Sequence, residues 1–461
     1  MKKTVTAMLL TIALLVGSIL PTAAFTPTGV TISAEAALLA DLGRDTVVFE
    51  KNADARMYPA SLTKIMTAVV VMDECGDPAS VSIEASFEAL DPLYGTDSSI
   101  FGLEIGEVMT AYDLLALMMI QSANDAANVL AYHFGGNDLE AFIEKMNQKA
   151  TDLGLTNTHY VNAHGLHDSD HYTTARDLYV LTKYALEKSM FRDIVTSLYY
   201  ETPETNVHWD QVVETTVYLQ DPDEADYYYE YAKGVKTGYT DPAGRCLVST
   251  AEKDGTTYLC VLLKCPVEDA EGFYVREEFG VSKGLYEWAF NTLEFRAVND
   301  TTTTVGYQAV QFGKDTEQVA VNLNGTLESI VEKSYTTDQA QVQVTFDAEA
   351  VEAPVVTGQK LGTATVSLDG KELGTLDVVA SQDIEKDNWK VVKAALQHFF
   401  SLPIVKVVLW LIVILVLLFA LFIAYCFWCR ARNRRRRKRR EEARRRRMEE
   451  ASRNPFDVEN I

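Results

Sequence analysis

Cysteine is scarce and unpatterned. Six occur in 461 residues, too few and too scattered for a disulfide scaffold or a zinc site. Cys426 and Cys429 form C-x-x-C, but inside an apolar run, which argues against a redox or zinc motif. Cys75, Cys246, Cys260 and Cys265 could pair in three ways, and free buried thiols fit as well. Histidine is short too, seven in all, and four of them (His159, His164, His167, His171) crowd into residues 159–171. Gly165, Asp168, Ser169 and Asp170 make that stretch an irregular structural loop, not a helical face that could array ligands. No metal and no other cofactor is expected. Positive charge is missing from most of the chain: the formal net charge is −23, yet residues 430–447 hold 13 of the 42 Lys and Arg. So acidic a body speaks against a nucleic-acid partner.

Two apolar runs set the ends of the chain. Lys2 and Lys3 precede Ala7–Leu20, the pattern of a secretory signal peptide and too short to span a bilayer comfortably. Small residues suited to cleavage occur at Thr22-Ala23-Ala24 and at Ala34-Glu35-Ala36. The second is favoured because a strand pattern starts directly after it, giving a leader of residues 1–36. Val407–Cys429 is uncharged and would be about 34 Å long as a helix, enough to cross a hydrocarbon core of about 30 Å. The basic block after it reads as a positive-inside stop signal, so residues 430–461 form a cytoplasmic tail with incidental affinity for anionic lipid. Residues 383–406 are a linker or membrane-proximal helix.

Between these ends the pattern changes once, near residue 294. Residues 37–293 mix strands and helices. Ala37–Asp41 and Thr46–Phe49 read as a hairpin, Ala111–Ile120 and Ala126–Phe134 as helices joined at a tight polar connection, Ala175–Leu186 as a helix, and Cys246–Ala251 with Tyr258–Leu263 as a second hairpin. The acids and tyrosines of 221–231 read as a surface loop. Residues 294–382 show only short alternating stretches and turn signals, a small all-β domain.

Three short motifs carry chemistry. Ser61 and Lys64 share one face of a helix that is apolar nearly all round (Leu62, Ile65, Met66, Val69, Val70), so Lys64 points into a core. Burial penalises its charge, lowering its pKa, and a lysine so tuned one turn from a serine can take that serine's proton. S-x-x-K alone arises by chance roughly once or twice in a chain this long. Ser122 and Asn124 occupy the connection between two buried helices, where polar groups must find partners. Lys236-Thr237-Gly238 leads into a strand, and its glycine lets another backbone approach the strand edge.

Ser61-x-x-Lys64, Ser122-x-Asn124 and Lys236-Thr237-Gly238, in this order in one exported domain, form the motif set of penicillin-binding proteins and β-lactamases. Pro59–Ala68, Ser122–Ala126, Asn162–Leu166, Thr173–Leu178 and Gly234–Thr240 resemble the low-molecular-mass penicillin-binding proteins, the serine-type D-alanyl-D-alanine carboxypeptidases. The resemblance covers roughly residues 37–382. It implies an α/β (α+β) penicillin-binding/β-lactamase-like domain, an antiparallel sheet with helices, followed by the small all-β domain and one C-terminal transmembrane helix. It further implies that Ser61 attacks the carbonyl between the two terminal D-alanines of a peptidoglycan stem peptide and that Lys64 is the base. Ser122 relays a proton to the leaving nitrogen, and Asn124 holds Lys64 and the substrate amide. Lys236 with Thr237 and Gly238 receives the terminal carboxylate, and the N–H groups of Ser61 and Tyr239 form an oxyanion hole. β-Lactam antibiotics are expected to acylate the same serine.

Two features depart from that family: a full membrane span in place of a surface-lying helix, and Thr215–Leu219 with the tyrosine-rich run where an Asn-containing segment commonly precedes K-T-G. No E-x-x-x-N lies between the second and third motifs, which speaks against a class A β-lactamase. A DD-transpeptidase or endopeptidase, or a non-catalytic peptidoglycan sensor, remain the alternatives.

Overall fold

The computed structural model describes residues 25–453. They form two compact units. The first comprises the chain up to Asn299 with Thr326–Gln341 and Val366–Gly374, the second Asp300–Gly325, Val342–Thr365 and the chain from Thr375 on.

The first unit is built on a five-stranded antiparallel sheet of β1 (Ala36–Asp41), β2 (Thr46–Lys51), β7 (Ala232–Thr240), β8 (Gly244–Lys253) and β9 (Thr256–Cys265), in the order β2-β1-β9-β8-β7. Alternation along its strands sorts side chains into two cores, as the two-residue period requires. Leu38, Val248, Leu259, Val261 and Leu263 face one core; Leu39, Leu247, Cys260 and Leu262 face the other. The first core is closed by α1 (Lys64–Glu74), α2 (Ala111–Ile120), α3 (Asn124–Phe134), α4 (Leu139–Asp152) and α5 (Ala175–Leu186). Helix α2 is buried at nine positions because it has almost no polar face to show to water. Thr110 and Asp113 cap it reciprocally. The second core is closed by α6 (Glu277–Thr292), which presents Phe279, Leu285, Tyr286 and Ala289. The tyrosines of 221–231 contribute here. The stretch read as a surface loop keeps its acids out but buries Tyr229 and packs Tyr227 and Tyr231 on this core.

After α6 the chain enters β10 (Leu293–Ala297), which pairs with β13 (Glu328–Glu332) within the first unit. The second unit carries most of a six-stranded sheet, including β11 (Thr304–Gln311), β12 (Gln318–Asn324), β14 (Gln341–Phe346) and parts of β16 (Lys360–Leu368) and β17 (Lys371–Ala380). The same unit holds α7 (Asn388–Ser401) and α8 (Pro403–Arg453), one continuous helix of 51 residues that includes the apolar run and the basic block. Its apolar portion is long enough to cross a membrane and is unburied within the protein.

Residues 1–24, with most of the expected leader, lie outside the described residues. Residues 25–36, also assigned to that leader, are part of the fold. The Phe25 N–H donates to the Val48 carbonyl at 2.8 Å. Val30 and Ile32 pack on the second core and Ala34 is buried. Lys51 Nζ donates to the carbonyls of Ile32 and Ala34 at 2.9 and 2.8 Å. Cleavage after Ala36 would remove these contacts; cleavage after Ala24 retains them. Mass spectrometry of the secreted-side N-terminus is expected to read a start at Phe25, and a start at Ala37 would contradict this packing.

Candidate active site

Seven segments converge on a cleft of about 700 Å³, lined among others by Ser61, Ser122, Asn124, Gly165, Thr216, Thr237 and Tyr239. Ser61 sits in a 3-10 turn, Ala60–Thr63, that runs into α1. The turn is entered through Ala60 at φ +48°, a left-handed conformation unusual for alanine, and it leaves Ser61 part-exposed at the cleft while Leu62, Thr63 and Lys64 are buried.

Lys64 has no exposed surface. Its Nζ lies 2.8 Å from Ser61 Oγ, 2.6 Å from Asn124 Oδ1 and 2.9 Å from the His164 carbonyl. Its pKa is held well below the ordinary 10.5, first by burial and then by the nearby positive charge of Lys236, with Asp125 opposing. The sequence-derived pair of serine and depressed lysine is therefore in contact, and Asn124 joins it. Ser122 takes a φ of +70° and lines the same cleft. Its conformation follows from the tight passage between α2 and α3, where Asn124 N–H donates to the Ser99 carbonyl at 2.8 Å.

Strand β7 is the sheet's edge, and Thr237–Thr240 line the cleft. Gly238 is required by contact: a Cβ there would stand 3.1 Å from the Ser61 nitrogen and 3.0 Å from the Pro59 carbonyl oxygen. Thr237 Oγ1 lies 2.6 Å from Thr216 Oγ1. Lys236 is fully buried, its Nζ donating to the Thr237 carbonyl at 3.0 Å, and burial alone brings its pKa down to about 7.

The cations that do line the cleft are Arg245 and Arg276, which the sequence reading missed. Arg245 lies over the Tyr239 ring, 5.3 Å from its centroid, and Arg276 over Tyr218 at 4.5 Å. Beside them Glu278 is 2% exposed, and burial raises its pKa to about 7. No local pattern marks these residues, since β8 and α6 bring them in from either side.

The loop of 159–171, taken from sequence as structural, forms one wall of the cleft and is stitched to α1. Thr67 Oγ1 donates to the Ala163 carbonyl at 2.6 Å, and Thr63 Oγ1 lies 2.7 Å from His171 Nε2. Burial lowers the pKa of His164 to about 3 and of His171 to about 4, so both are neutral packing residues near pH 7. Gly165, at φ +92°, has no room for a side chain: a Cβ would stand 1.9 Å from the Ala60 carbonyl oxygen.

A family model described as D-alanyl-D-alanine carboxypeptidase matches residues 22–266, and one described as the C-terminal domain of penicillin-binding protein 5 matches residues 290–386. The chain belongs to the D-alanyl-D-alanine carboxypeptidase family. The carboxypeptidase DacF of Bacillus subtilis is 28% identical over 356 residues, which is 77% of this chain and 86% of that one. The carboxypeptidase DacC of Escherichia coli is 29% identical over 366 residues, 77% and 85% of the two chains. Among solved structures, the D-alanyl-D-alanine carboxypeptidase DacD from Francisella tularensis matches with a TM-score of 0.55 at 25% identity, covering 79% of this chain and 97% of that one. The expected fold class, a sheet-and-helix catalytic domain followed by a β domain and one long apolar C-terminal helix, is borne out.

Proposed function

We propose that the chain is a serine-type carboxypeptidase that removes the terminal D-alanine from peptidoglycan stem pentapeptides through an acyl-enzyme on Ser61. The observation that carries the residue assignment is the 2.8 Å contact between Ser61 Oγ and a fully buried Lys64 Nζ. Ser61 Oγ attacks the carbonyl carbon of the penultimate D-alanine while its proton passes to Lys64 Nζ. The oxyanion is received by the N–H groups of Ser61 and Tyr239, which the bare Gly238 brings together; losing one such donor typically costs about 3 kcal/mol. The C–N bond breaks as the leaving nitrogen takes a proton by way of Ser122 Oγ. Water then attacks the ester, giving its proton back through Lys64, and Ser61 is released. β-Lactams enter by the same attack on the lactam carbonyl.

The terminal carboxylate is assigned to the Thr237 hydroxyl with Arg276 and Arg245, because these groups line the cleft and Lys236 does not. Lys236 acts from beneath the strand through its field on the cleft and on Lys64. The sequence limits of 37–293 and 294–382 are modified in one respect, the catalytic portion being taken to begin at residue 25, and residues 294–299, 326–341 and 366–374 of the second stretch pack with the first unit.

Two experiments test this reading. Labelled penicillin is expected to form an ester on a peptide containing Ser61. Ser61→Ala abolishes it, and Lys64→Ala slows it by roughly 10²–10⁴-fold, the usual worth of a positioned base. Labelling of Ser61→Ala at the wild-type rate would move the nucleophile elsewhere. For topology, α8 is taken to cross the membrane with residues 430–461 in the cytoplasm, since the basic block follows the span. Protease added to protoplasts should digest the body and spare a tail epitope, whereas a tail lost from outside would reverse the orientation.

A further inference from the structure

The residue after Asn124 has no part in the chemistry just described, yet it is the most heavily used carboxylate near the site. Asp125 is 3% exposed. Its Oδ1 accepts from the N–H of Phe101 at 3.0 Å and of Ala126 at 3.0 Å. Its Oδ2 accepts from Gly102 at 2.7 Å and Leu103 at 3.0 Å. Consecutive N–H groups of 101–103 can all point at one carboxylate because Gly102 takes φ +105°, a conformation that favours glycine. This segment is the end of a strap whose preceding residues Asp97, Ser98 and Ser99 line the catalytic cleft. Apolar burial holds the strap only in part: Leu103 is buried, but Ile100 is 50% exposed. The carboxylate adds charge-assisted hydrogen bonds to the packing of Phe101 on the core and the Asn124 N–H bond to the Ser99 carbonyl.

Asp125 is also buried next to Asn124, whose Oδ1 lies 2.6 Å from Lys64 Nζ. The charged or titratable groups around that amine are Lys236, from β7, His164, from the cleft-wall loop, and Asp125, from α3. His164 is neutral near pH 7. Burial is the largest influence on that amine and the charge of Lys236 the second; the negative charge of Asp125 acts against both.

We propose that Asp125 is a positioning residue with two linked roles: its carboxylate ties the cleft-lining strap to the start of α3, and the same fixed negative charge, one residue from the Asn124 that holds Lys64, acts on the base. One anion thereby couples the shape of the cleft to the strength of its base. The proposal rests on the reading of Lys64 as the base for Ser61.

The test is the pH dependence of acylation of the full chain, in detergent, by a chromogenic cephalosporin, together with hydrogen exchange of the 101–103 amides. The acid limb reports protonation of the base. Removing a negative neighbour lowers the affinity of Lys64 for its proton, so in Asp125→Asn the limb moves to lower pH and the plateau rate falls. Removing a positive neighbour does the reverse, so in Lys236→Met the limb moves to higher pH. General disturbance of the site would not shift the two in opposite directions. Protection of the 101–103 amides is lost in Asp125→Asn and kept in Lys236→Met. An unmoved limb in Asp125→Asn, a limb moving the same way in both variants, or wild-type protection of 101–103 in Asp125→Asn would overturn the proposal. Should Asp125→Asn fail to fold, Asp125→Glu keeps the charge on a longer arm: the limb stays near that of wild type while strap protection falls, and unchanged protection contradicts the assignment. A wild type that never acylates at Ser61 would instead sink the underlying reading.

Discussion

The whole site depends on a lysine amine taken out of water. Lys64 has no exposed surface and touches three oxygens. Two of them, Asn124 Oδ1 and the His164 carbonyl, can only accept. A neutral amine has two N–H bonds and one lone pair, so once those two acceptors are served the lone pair is left facing the third oxygen, Ser61 Oγ. The hydroxyl then becomes the donor. Desolvation makes that neutral form accessible, and the hydrogen-bond arithmetic aims it.

Holding this arrangement takes backbone that few sequences adopt. Ala60, just before Ser61, and Ser122, the first residue of Ser122-x-Asn124, both have positive φ, a conformation that costs of order 1–3 kcal/mol at a non-glycine position. Gly165 leaves no room for a methyl group against the Ala60 carbonyl, and one on Gly238 would crowd the Pro59 carbonyl at 3.0 Å and the Ser61 nitrogen at 3.1 Å. The rigid surroundings that impose such geometry are the buried α1 and α2 and the central strands β8 and β9, whose side chains fill the two cores. The stability of those cores offsets strain concentrated where Ser61, Ser122 and β7 meet.

The sequence made the local half of this legible. Helix α2 was readable to its last residue because ten consecutive positions from Ala111 to Ile120 lack a polar face, and α5 because Thr174 marks its start. Ser61, Ser122, Asn124 and Thr237 line one cleft, and Lys64 is buried against Ser61. What sequence could not show depends on how distant elements pack. Lys236 looks like a cation at a strand edge, but it is fully buried, and the positive charge lining the cleft comes from Arg245 and Arg276. The four histidines of 159–171 suggested only an irregular loop. Their actual use, a carbonyl for Lys64 and a ring beside Thr63, requires knowing that the loop packs on α1. Residues 25–36 read as leader because they lack a periodic pattern, yet Val30 and Ile32 are held by cross-chain contacts.

Lys64, as the proposed base, should be a neutral amine at the pH where Ser61 reacts. Carbon-13 labelling of lysine side chains, with the Lys64 resonance assigned by its loss in Lys64→Ala, reads that charge directly. This resonance is expected to titrate well below the ordinary 10.5, with the neutral-amine shift dominant at pH values where acylation is fast. An ammonium shift that persists across the whole range of full acylation rate would contradict it.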